Sequence, residues 1–303
     1  MKKVLITGSN GLLGQKLSDL YLTLPDCSFL ATGTGMNRHP AGDKVPYQTL
    51  DIRDAKAVMD LFMEFRPDCV IHTAAMTNVD QCESEKEACW DLNVHAVASI
   101  VDACNTVNAH LIHLSTDFIF DGKAGPYSET AMPNPISYYG ESKLAGEKLV
   151  QEKAQNWAIV RTVLVYGIVN DMSRSNIVLW AKGALEAGKA INVVTDQFRS
   201  PTLAEDLAMG CRLIEKQKAR GIYHISGKDF MSVYELVERV AIFWNLPMDN
   251  VNPSDSSGIN QPAKRPPITG FIIDKAIREL GYAPHSFEEG MGLLSDQLRD
   301  SSK

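Results

Sequence analysis

The chain alternates between short, continuous apolar runs and longer stretches in which apolar residues recur with the spacing of a helix face. Continuous apolar runs are typical of strands covered on both faces of a parallel sheet, and strands that alternate with helices indicate βαβ units. Six strands are predicted in the first half, at 3–7, 28–32, 47–51, 69–74, 110–115 and 158–165. Four helices are predicted there, at 11–23, 54–65, 83–107 and 137–155. This pattern predicts an α/β fold with a doubly wound parallel sheet of the Rossmann type.

The pattern becomes less regular after residue 166. Helices are predicted at 173–187, 203–216, 232–244 and 286–298, strands at 191–195 and 222–226, and a Pro-, Gly- and Ser-rich connection at 247–270. Segment 200–230 is expected to return to the main sheet. We therefore assign 1–166, with 200–230, to a dinucleotide-binding domain. Segments 167–199 and 231–303 are expected to form a smaller C-terminal substrate-binding region over the carboxyl ends of the strands, where α/β sheets bind ligands.

Composition narrows the class of protein. Of the 303 residues, 45% are hydrophobic and 22% charged, which is ordinary for a globular protein. The net charge is −7 and no Lys/Arg run suggests nucleic-acid binding. No apolar stretch approaches the roughly 18–20 residues of a membrane span, and the N-terminal apolar run is too short for a signal peptide. The six cysteines and seven histidines show no spacing typical of a metal site. A cytoplasmic protein without a bound metal, nucleic acid or membrane is expected.

A glycine-rich turn follows the first predicted strand, with glycines at positions 8, 11 and 14. Glycines at this spacing between a strand and a helix permit a tight turn, close approach of the backbone to a pyrophosphate, and close helix–strand packing. Free amides at the helix start bind the phosphates. We therefore predict a nicotinamide dinucleotide site formed by Gly8, Asn10, Gly11, Leu12, Leu13 and Gly14.

The second strand lacks the acidic residue that commonly binds the ribose 2′-hydroxyl of NADH. The sequence Ala-Thr-Gly-Thr-Gly at 31–35 stands there, followed shortly by Arg38. Without a carboxylate there is no charge to repel a 2′-phosphate, and Arg38 can bind one; alternatively, Arg38 lies on a solvated loop. The residues favour NADPH over NADH.

Tyr139 and Lys143 lie four residues apart at the start of a predicted helix, so they share a face. Hydride reduction of a ketone requires a proton for the developing alkoxide, and a phenol with its usual pKa of about 10 is a weak acid. A cation within about 4–6 Å lowers such a pKa by roughly 1–3 units. Tyr138 is five residues from Lys143 and falls off this face. We predict that Tyr139 is the general acid and that Lys143 lowers its pKa.

A third polar group is expected to hold the carbonyl oxygen. Ser115 and Thr116 stand at the carboxyl end of predicted strand 110–115. Consecutive strand residues face opposite ways, so one of the two points at the substrate. The spacing leaves open which one it is.

The three features follow one another along the chain as glycine turn, strand-end hydroxyl and Tyr-x-x-x-Lys helix. In this order they resemble those of extended short-chain dehydrogenase/reductases, and within that superfamily the chain is most similar to the dTDP-4-dehydrorhamnose reductase family. The matching segments are the glycine turn, 50–54, 73–80, 92–93, 115–122, 126–129, 139–147, 196–202 and 265–266. The resemblance covers nearly the whole chain and is strongest before residue 170. It implies that NADPH or NADH reduces the C4 ketone of a dTDP-4-dehydro-6-deoxy sugar, converting dTDP-4-dehydrorhamnose to dTDP-rhamnose.

The resemblance also implies roles for individual residues. The catalytic residues would be Thr116, in preference to Ser115, with Tyr139 and Lys143. Further cofactor contacts would come from Arg38, Asp51, Ile52, Ala74, Ala75, Asn93, Tyr139 and Lys143. Substrate contacts would come from Asp80, Thr116, Phe118, Tyr139 and Arg199. A homodimer is a candidate assembly.

Two residues depart from the family pattern. Leu164 stands where its bacterial reductases commonly have a tryptophan, and Arg199 where they usually have a small residue. Arg199 can bind a nucleotide diphosphate or pair with a surface acid. Another extended-family reductase or epimerase of nucleotide sugars is therefore an alternative. A second is a non-catalytic, NADP-binding regulatory subunit similar to the β subunit of methionine adenosyltransferase.

Overall fold

The computed structural model describes residues 1–170, 176–258 and 262–301. The strands are β1 (Lys2–Thr7), β2 (Cys27–Gly33), β3 (Tyr47–Thr49), β4 (Cys69–His72), β5 (His110–Thr116), β6 (Trp157–Thr162), β7 (Val165–Tyr166), β8 (Ile191–Val194), β9 (Phe198–Arg199), β10 (Thr202–Leu203), β11 (Gly221–His224), β12 (Met231–Ser232) and β13 (Val251–Ser254). The helices are α1 (Leu12–Leu22), α2 (Ala55–Phe65), α3 (Val79–Ser84), α4 (Lys86–Trp90), α5 (Ala96–Val107), α6 (Tyr138–Lys153), α7 (Ile177–Glu186), α8 (Ala204–Gln217), α9 (Val233–Trp244), α10 (Asp274–Leu280) and α11 (Phe287–Ser301).

Seven parallel strands form the central sheet, in the order β11-β6-β5-β4-β1-β2-β3. Helices α1 and α8 pack on one face of this sheet, and α2 and α5 on the other. Leu17 and Tyr21 of α1 are buried in the core of the first face, and Val58 and Phe62 of α2 in that of the second. The doubly wound α/β fold predicted from the pattern is confirmed. The strand order reverses between β1 and β4, which opens a crevice at their carboxyl ends.

Two predicted elements in the first half are divided. The long helix predicted at 83–107 is interrupted at Glu85, whose φ of −118° and ψ of 56° are not helical, and contains a π-helical turn at Asp91–His95. The strand predicted at 158–165 ends at Thr162, and β7 follows after a break. Leu164 in this break has a φ of +41°, a left-handed conformation that interrupts an extended chain.

The C-terminal part of the chain has a hydrophobic core of its own, built largely from α7, α9 and α11. A two-stranded parallel sheet pairs β8 with β13, so the predicted irregular connection 247–270 contains a strand. The helix predicted at 173–187 is observed as α7, and residues 173–175 lie outside the described residues. Helix α10 was not predicted. Among the described helices, none combines the length and apolar character needed to cross a membrane.

Candidate active site

A cavity of about 930 Å³ lies at the carboxyl ends of the central strands. Fifteen residues predicted from the sequence to bind cofactor or substrate line it: Gly8, Asn10, Gly11, Leu12, Leu13, Gly14, Arg38, Asp51, Ile52, Ala74, Ala75, Thr116, Phe118, Tyr139 and Arg199. The other three, Asp80, Asn93 and Lys143, are not among the residues that line it, and their contacts are described below. The fold therefore brings most of the predicted site into one space.

The glycine turn forms one end of the cavity. Gly8 has a φ of +70°, and a Cβ on it would lie 2.6 Å from the backbone nitrogen of Ala74. A Cβ on Gly14 would lie 2.4 Å from Ser9 Cα, so both positions exclude any side chain. Gly11 is different, because a Cβ there would meet only the Gly8 carbonyl, at 3.4 Å. Gly11 is also the N-cap of α1 and caps it with no side chain. This open helix start fits the pyrophosphate of a dinucleotide.

Asn10 shapes the loop that follows β2. Its amide nitrogen donates to the carbonyls of Thr34 and Met36, at 3.1 and 3.0 Å, and its Oδ1 accepts from the Arg38 amide at 2.9 Å. The Tyr47 hydroxyl lies 2.9 Å from the carbonyl oxygens of both Gly33 and Gly35, at the start of this loop. This places Arg38, which is exposed, at the cavity wall. No acidic residue occurs between 31 and 38, so the wall near Arg38 is compatible with a phosphate.

Asp51 and Ile52 lie on the same side of the cavity, after β3. The Asp51 carboxylate pairs with Arg53 Nη2 at 2.6 Å, and this hydrogen-bonded partner lowers the pKa of Asp51. Arg53 also lines the cavity. The sequence matched this segment to the family without assigning Arg53 a role, because a basic residue in a loop gives no signal of its direction.

Tyr139 lies in the first turn of α6, next to Thr116. The helix begins there because the Ser137 hydroxyl accepts a hydrogen bond from the Gly140 amide, as an N-cap does. A Cβ on Gly140 would lie 2.2 Å from the Phe118 carbonyl, so only glycine lets α6 approach the turn after β5 this closely. Thr116 lines the cavity, whereas the Ser115 hydroxyl is buried with no hydrogen-bond partner among the described residues.

Burial raises the pKa of the Tyr139 phenol, and the hydrogen bond from Thr116 offsets this only in part. The sequence predicted the opposite direction for Tyr139, because it considered the charge of Lys143 and not the burial. Lys143 is 4% exposed, and its Nζ donates to the Leu114 carbonyl at 2.7 Å. Burial lowers the pKa of Lys143 to about 8. At neutral pH the phenol is therefore protonated and the ammonium is still charged.

Asn93 lies within the π-helical turn, behind the cavity. Its Oδ1 accepts from the Met76 amide at 2.9 Å, and its Nδ2 donates to the Met76 carbonyl and to Ser142 Oγ on α6, at 3.1 and 3.0 Å. The side chain thus holds α6 against the loop after β4. The resemblance implied a cofactor contact for Asn93, whereas the contacts observed here are to Met76 and to the helix that carries Tyr139 and Lys143.

Phe118 and Arg199, two of the predicted substrate contacts, also line the cavity. The Phe118 ring packs edge-on against Tyr139, with ring centroids 5.7 Å apart. Arg199 is 5% exposed and donates to the carbonyls of Phe198, Pro266 and Pro267, and its Nε is 3.9 Å from Asp117 Oδ2. Of the two roles left open by the sequence, these contacts favour pairing with an acid, although the acid is buried.

Asp80 pairs with Arg265, and the two side chains approach to 2.7 Å. Its Oδ1 also accepts from the Ala263 amide at 3.1 Å. Asp80 therefore attaches the Pro-rich connection to α3 beside the cavity.

Several further cavity residues were given no role by the sequence, among them Asp117, Leu164 and Asn176. Asp117 was part of a segment that matches the family, but the sequence did not reveal that its side chain is buried. Leu164 faces the cavity because its left-handed backbone turns it there. Asn176 caps α7, and its side chain accepts from the Leu179 amide.

Comparison with known proteins identifies the family to which this arrangement belongs. The family model "RmlD substrate binding domain" matches residues 1–299. The "Methionine adenosyltransferase 2 subunit beta" of Xenopus tropicalis is 34% identical over 257 residues, which cover 83% of this chain and 75% of that protein. The "Probable low-salt glycan biosynthesis reductase Agl14" of Haloferax volcanii is 30% identical over 299 residues, 98% of each chain.

A solved structure extends the likeness to three dimensions. The dTDP-4-dehydrorhamnose reductase of Bacillus anthracis, in complex with NADP, superposes with a TM-score of 0.83 at 30% identity. The likeness covers 98% of this chain and 100% of that one. It therefore includes both the central sheet and the C-terminal region.

Proposed function

The chain belongs to the RmlD substrate binding domain family, and from that premise we propose that it is an NAD(P)H-dependent oxidoreductase. It reduces the C4 ketone of a dTDP-4-dehydro-6-deoxy sugar, converting dTDP-4-dehydrorhamnose to dTDP-rhamnose. One observation carries this proposal: Tyr139 and Thr116 line the same cavity as the open helix start at Gly11.

The protein's own residues supply the proton and the orientation. A bound nicotinamide supplies the hydride. Tyr139 is protonated at neutral pH because burial raises its pKa, so it can donate a proton to the substrate oxygen. Lys143 keeps its charge below about pH 8 and would bind the nicotinamide ribose. Asn93 and Ser137 hold the helix that carries both residues.

NADPH is the preferred cofactor in this proposal, with NADH as the alternative. Arg38 at the cavity wall would contact the 2′-phosphate, and Asp51 and Ile52 would lie against the adenine. Ala74 and Ala75 would lie along the middle of the cofactor. The support is the absence of an acid between 31 and 38 and the NADP bound by the Bacillus anthracis reductase.

The division of roles along the chain is part of the same proposal. Segment 1–166, with 200–230, would bind the dinucleotide, and 167–199 and 231–303 would bind the sugar nucleotide. Phe118 and Arg199, which line the cavity, would contact the sugar nucleotide. Asp80 would act through Arg265 by holding the Pro-rich connection in place.

Oxidation of NADPH and of NADH by the purified protein tests the proposal, with dTDP-4-dehydrorhamnose generated in situ. We expect turnover, faster with NADPH, and a loss of about 100-fold or more in kcat in Tyr139→Phe. Tyr138→Phe is the matched control, because Tyr138 packs against Trp90 with ring centroids 6.0 Å apart, and it should keep wild-type kcat. Near-wild-type turnover in Tyr139→Phe would exclude Tyr139 as the acid.

A second candidate function is that of a subunit of a methionine adenosyltransferase. Its support is the 34% identity to the subunit beta of Xenopus tropicalis. Co-purification with the catalytic subunit of such an enzyme, together with no reduction of any 4-keto sugar nucleotide, would favour it.

The assembly and the cellular location complete the proposal. A homodimer is tested by light scattering at micromolar concentration, and a cytoplasmic location by fractionation of the source cells.

A further inference from the structure

The backbone of Arg38 is held from two sides by side chains that are distant in sequence. Asn10, between β1 and α1, accepts from the Arg38 amide through its Oδ1 at 2.9 Å. Asn170 donates from its Nδ2 to the Arg38 carbonyl at 3.0 Å. Asn170 lies in the segment that leads from β7 to α7, at the start of the C-terminal part of the chain. The proposed function gives Asn170 no role, although the residue that it holds lines the cavity.

The segment that carries Asn170 is itself held at both ends. Gln15 on α1 bonds to the Asn170 backbone twice: its Oε1 accepts from the amide and its Nε2 donates to the carbonyl, both at 2.9 Å. Gln15 is buried, so water competes little for its amide group. At the other end, Asn176 donates from its Nδ2 to the Gly167 carbonyl at 2.6 Å. Asn176 is the N-cap of α7 and lines the cavity. Segment 167–170 therefore connects the start of α7 to the backbone of Arg38.

The position of this backbone matters for the binding of a phosphate. The Arg38 side chain is exposed and flexible, so the place from which it reaches a ligand is set by the loop that carries it. A loop that must be ordered on binding lowers the affinity, and a loop already held in its bound position avoids that cost. NADPH and NADH differ only in the 2′-phosphate. A group that holds the Arg38 loop should therefore affect the binding of NADPH and not that of NADH.

We propose that Asn170 is a positioning residue for NADPH: by holding the Arg38 carbonyl, it fixes the loop that presents Arg38 to the 2′-phosphate. This deepens the proposed function and rests on its preference for NADPH. Part of the selection between the two cofactors then lies outside the central sheet, in the segment that leads to α7. Asn170 acts through Arg38 and makes no contact with the cofactor itself.

Calorimetric titration of Asn170→Leu with NADPH and with NADH, in the absence of substrate, tests the proposal. Leucine is close to asparagine in size and cannot donate a hydrogen bond, and position 170 is exposed, so the fold is kept. We expect the Kd of NADPH to rise about 3- to 10-fold and that of NADH to change less than about twofold. Asn250→Leu is the matched control, because Asn250 also donates from its side chain to a carbonyl, that of Gly188, at 2.9 Å. It should leave both affinities unchanged. An unchanged Kd of NADPH in Asn170→Leu, or an equal rise for both cofactors, would overturn the proposal.

A double variant distinguishes positioning from a direct contact of Asn170 with the phosphate. In Arg38→Ala, NADPH should lose its advantage over NADH. Addition of Asn170→Leu to Arg38→Ala should then change neither Kd further, because the two residues act as one unit. A further rise in the Kd of NADPH in the double variant would overturn the positioning role.

These titrations do not depend on turnover, so they separate this proposal from the proposed function. The expected pattern of Kd values in a protein that does not reduce the sugar would overturn the proposed function alone. Reduction of the sugar by a wild-type protein that binds NADPH and NADH equally well would overturn the positioning role alone.

Discussion

Glu147 on α6 and Arg161 on β6 form an ion pair with side chains 0% and 3% exposed. Arg161 donates to both carboxylate oxygens, from Nη2 at 2.7 Å and from Nε at 2.9 Å. Glu147 lies one helical turn beyond Lys143 and two beyond Tyr139, on the same face. The pair therefore fixes against the sheet the face of α6 that carries the candidate catalytic residues.

Glu147→Leu should destabilise the protein strongly. It leaves the Arg161 guanidinium buried without a counter-charge, which typically costs about 3–5 kcal/mol of the free energy of unfolding. The double variant Glu147→Leu, Arg161→Met should lose much less, since no uncompensated charge remains. Chemical denaturation at pH 7 measures both, with Glu152→Leu, an exposed position on the same helix, as control. Equal losses in the single and double variants would contradict this account.

Substitutions at two glycines of the turn should affect different properties: one the affinity for NADPH and the other the stability of the fold. In Gly11→Ala the new Cβ meets only the Gly8 carbonyl, at 3.4 Å, so the free energy of unfolding should change by less than about 1 kcal/mol. The methyl group occupies the approach to the helix start, and the Kd of NADPH should rise at least about tenfold. In Gly14→Ala the Cβ lies 2.5 Å from the Gly8 carbonyl oxygen, and a loss of about 2 kcal/mol or more is expected. Calorimetric titration and denaturation distinguish the two; a Gly11→Ala protein that binds NADPH normally would refute the placement of the pyrophosphate.

The buried, charged Lys143 lowers the free energy of unfolding at neutral pH. Its pKa is about 8 in the folded protein against 10.5 ordinarily, a difference that corresponds to roughly 3 kcal/mol. The unfolded chain binds more protons between these values, so this cost is complete below about pH 8 and disappears as the pH rises towards 10.5. Lys143→Met should therefore be more stable than wild type at pH 7, by about 1–3 kcal/mol, and inactive. Lys148→Met, at an exposed position of α6, should change little.

The buried histidines predict acid sensitivity. His72 and His113 stack with ring centroids 5.4 Å apart, and burial lowers the pKa of both, that of His72 to about 3. The unfolded chain takes up these protons below about pH 6.5, so the free energy of unfolding should fall as the pH drops through that value. His113→Leu should reduce the slope by up to about 1.4 kcal/mol per pH unit between pH 4 and 6. His95→Leu, at an exposed position, should leave this slope unchanged. Identical slopes of the free energy of unfolding against pH in the two variants would show that His113 does not cause the acid sensitivity.

Regular elements whose signals are local were predictable from the sequence. Strand β1 and helix α1 follow from an apolar run, a glycine turn and a helical repeat, and all three lie within 22 residues. The π-helical turn at Asp91–His95 was not predictable, because Asn93 bonds to Met76 and Ser142, which are distant in sequence. For the same reason β13, which pairs with β8 across about 60 residues, was read as a connection.

The same distinction between local signals and contacts distant in sequence applies to the candidate site. Thr116, Tyr139 and Gly11 have positions set by strand, helix and turn geometry, and all three line one cavity. The direction of the Arg199 side chain depends on the carbonyls of Pro266 and Pro267, to which it donates. A positive charge in a sequence suggests an anionic ligand but does not reveal whether the fold already provides one.

The contacts of Asp117 limit how this enzyme can be redesigned. Arg199 and Thr269 contact the carboxylate from two adjacent segments, joined by the hydrogen bond from the Thr269 amide to the Phe198 carbonyl, and Thr116 contacts it from the end of β5. The C-terminal region is therefore not an interchangeable module. A chimera that grafts this region from a relative with another sugar preference would also replace two of the groups that hold the Asp117 carboxylate beside the cavity. Such grafts should keep residues 199 and 269 as a unit with Asp117, and libraries should vary the wall near Leu164 instead.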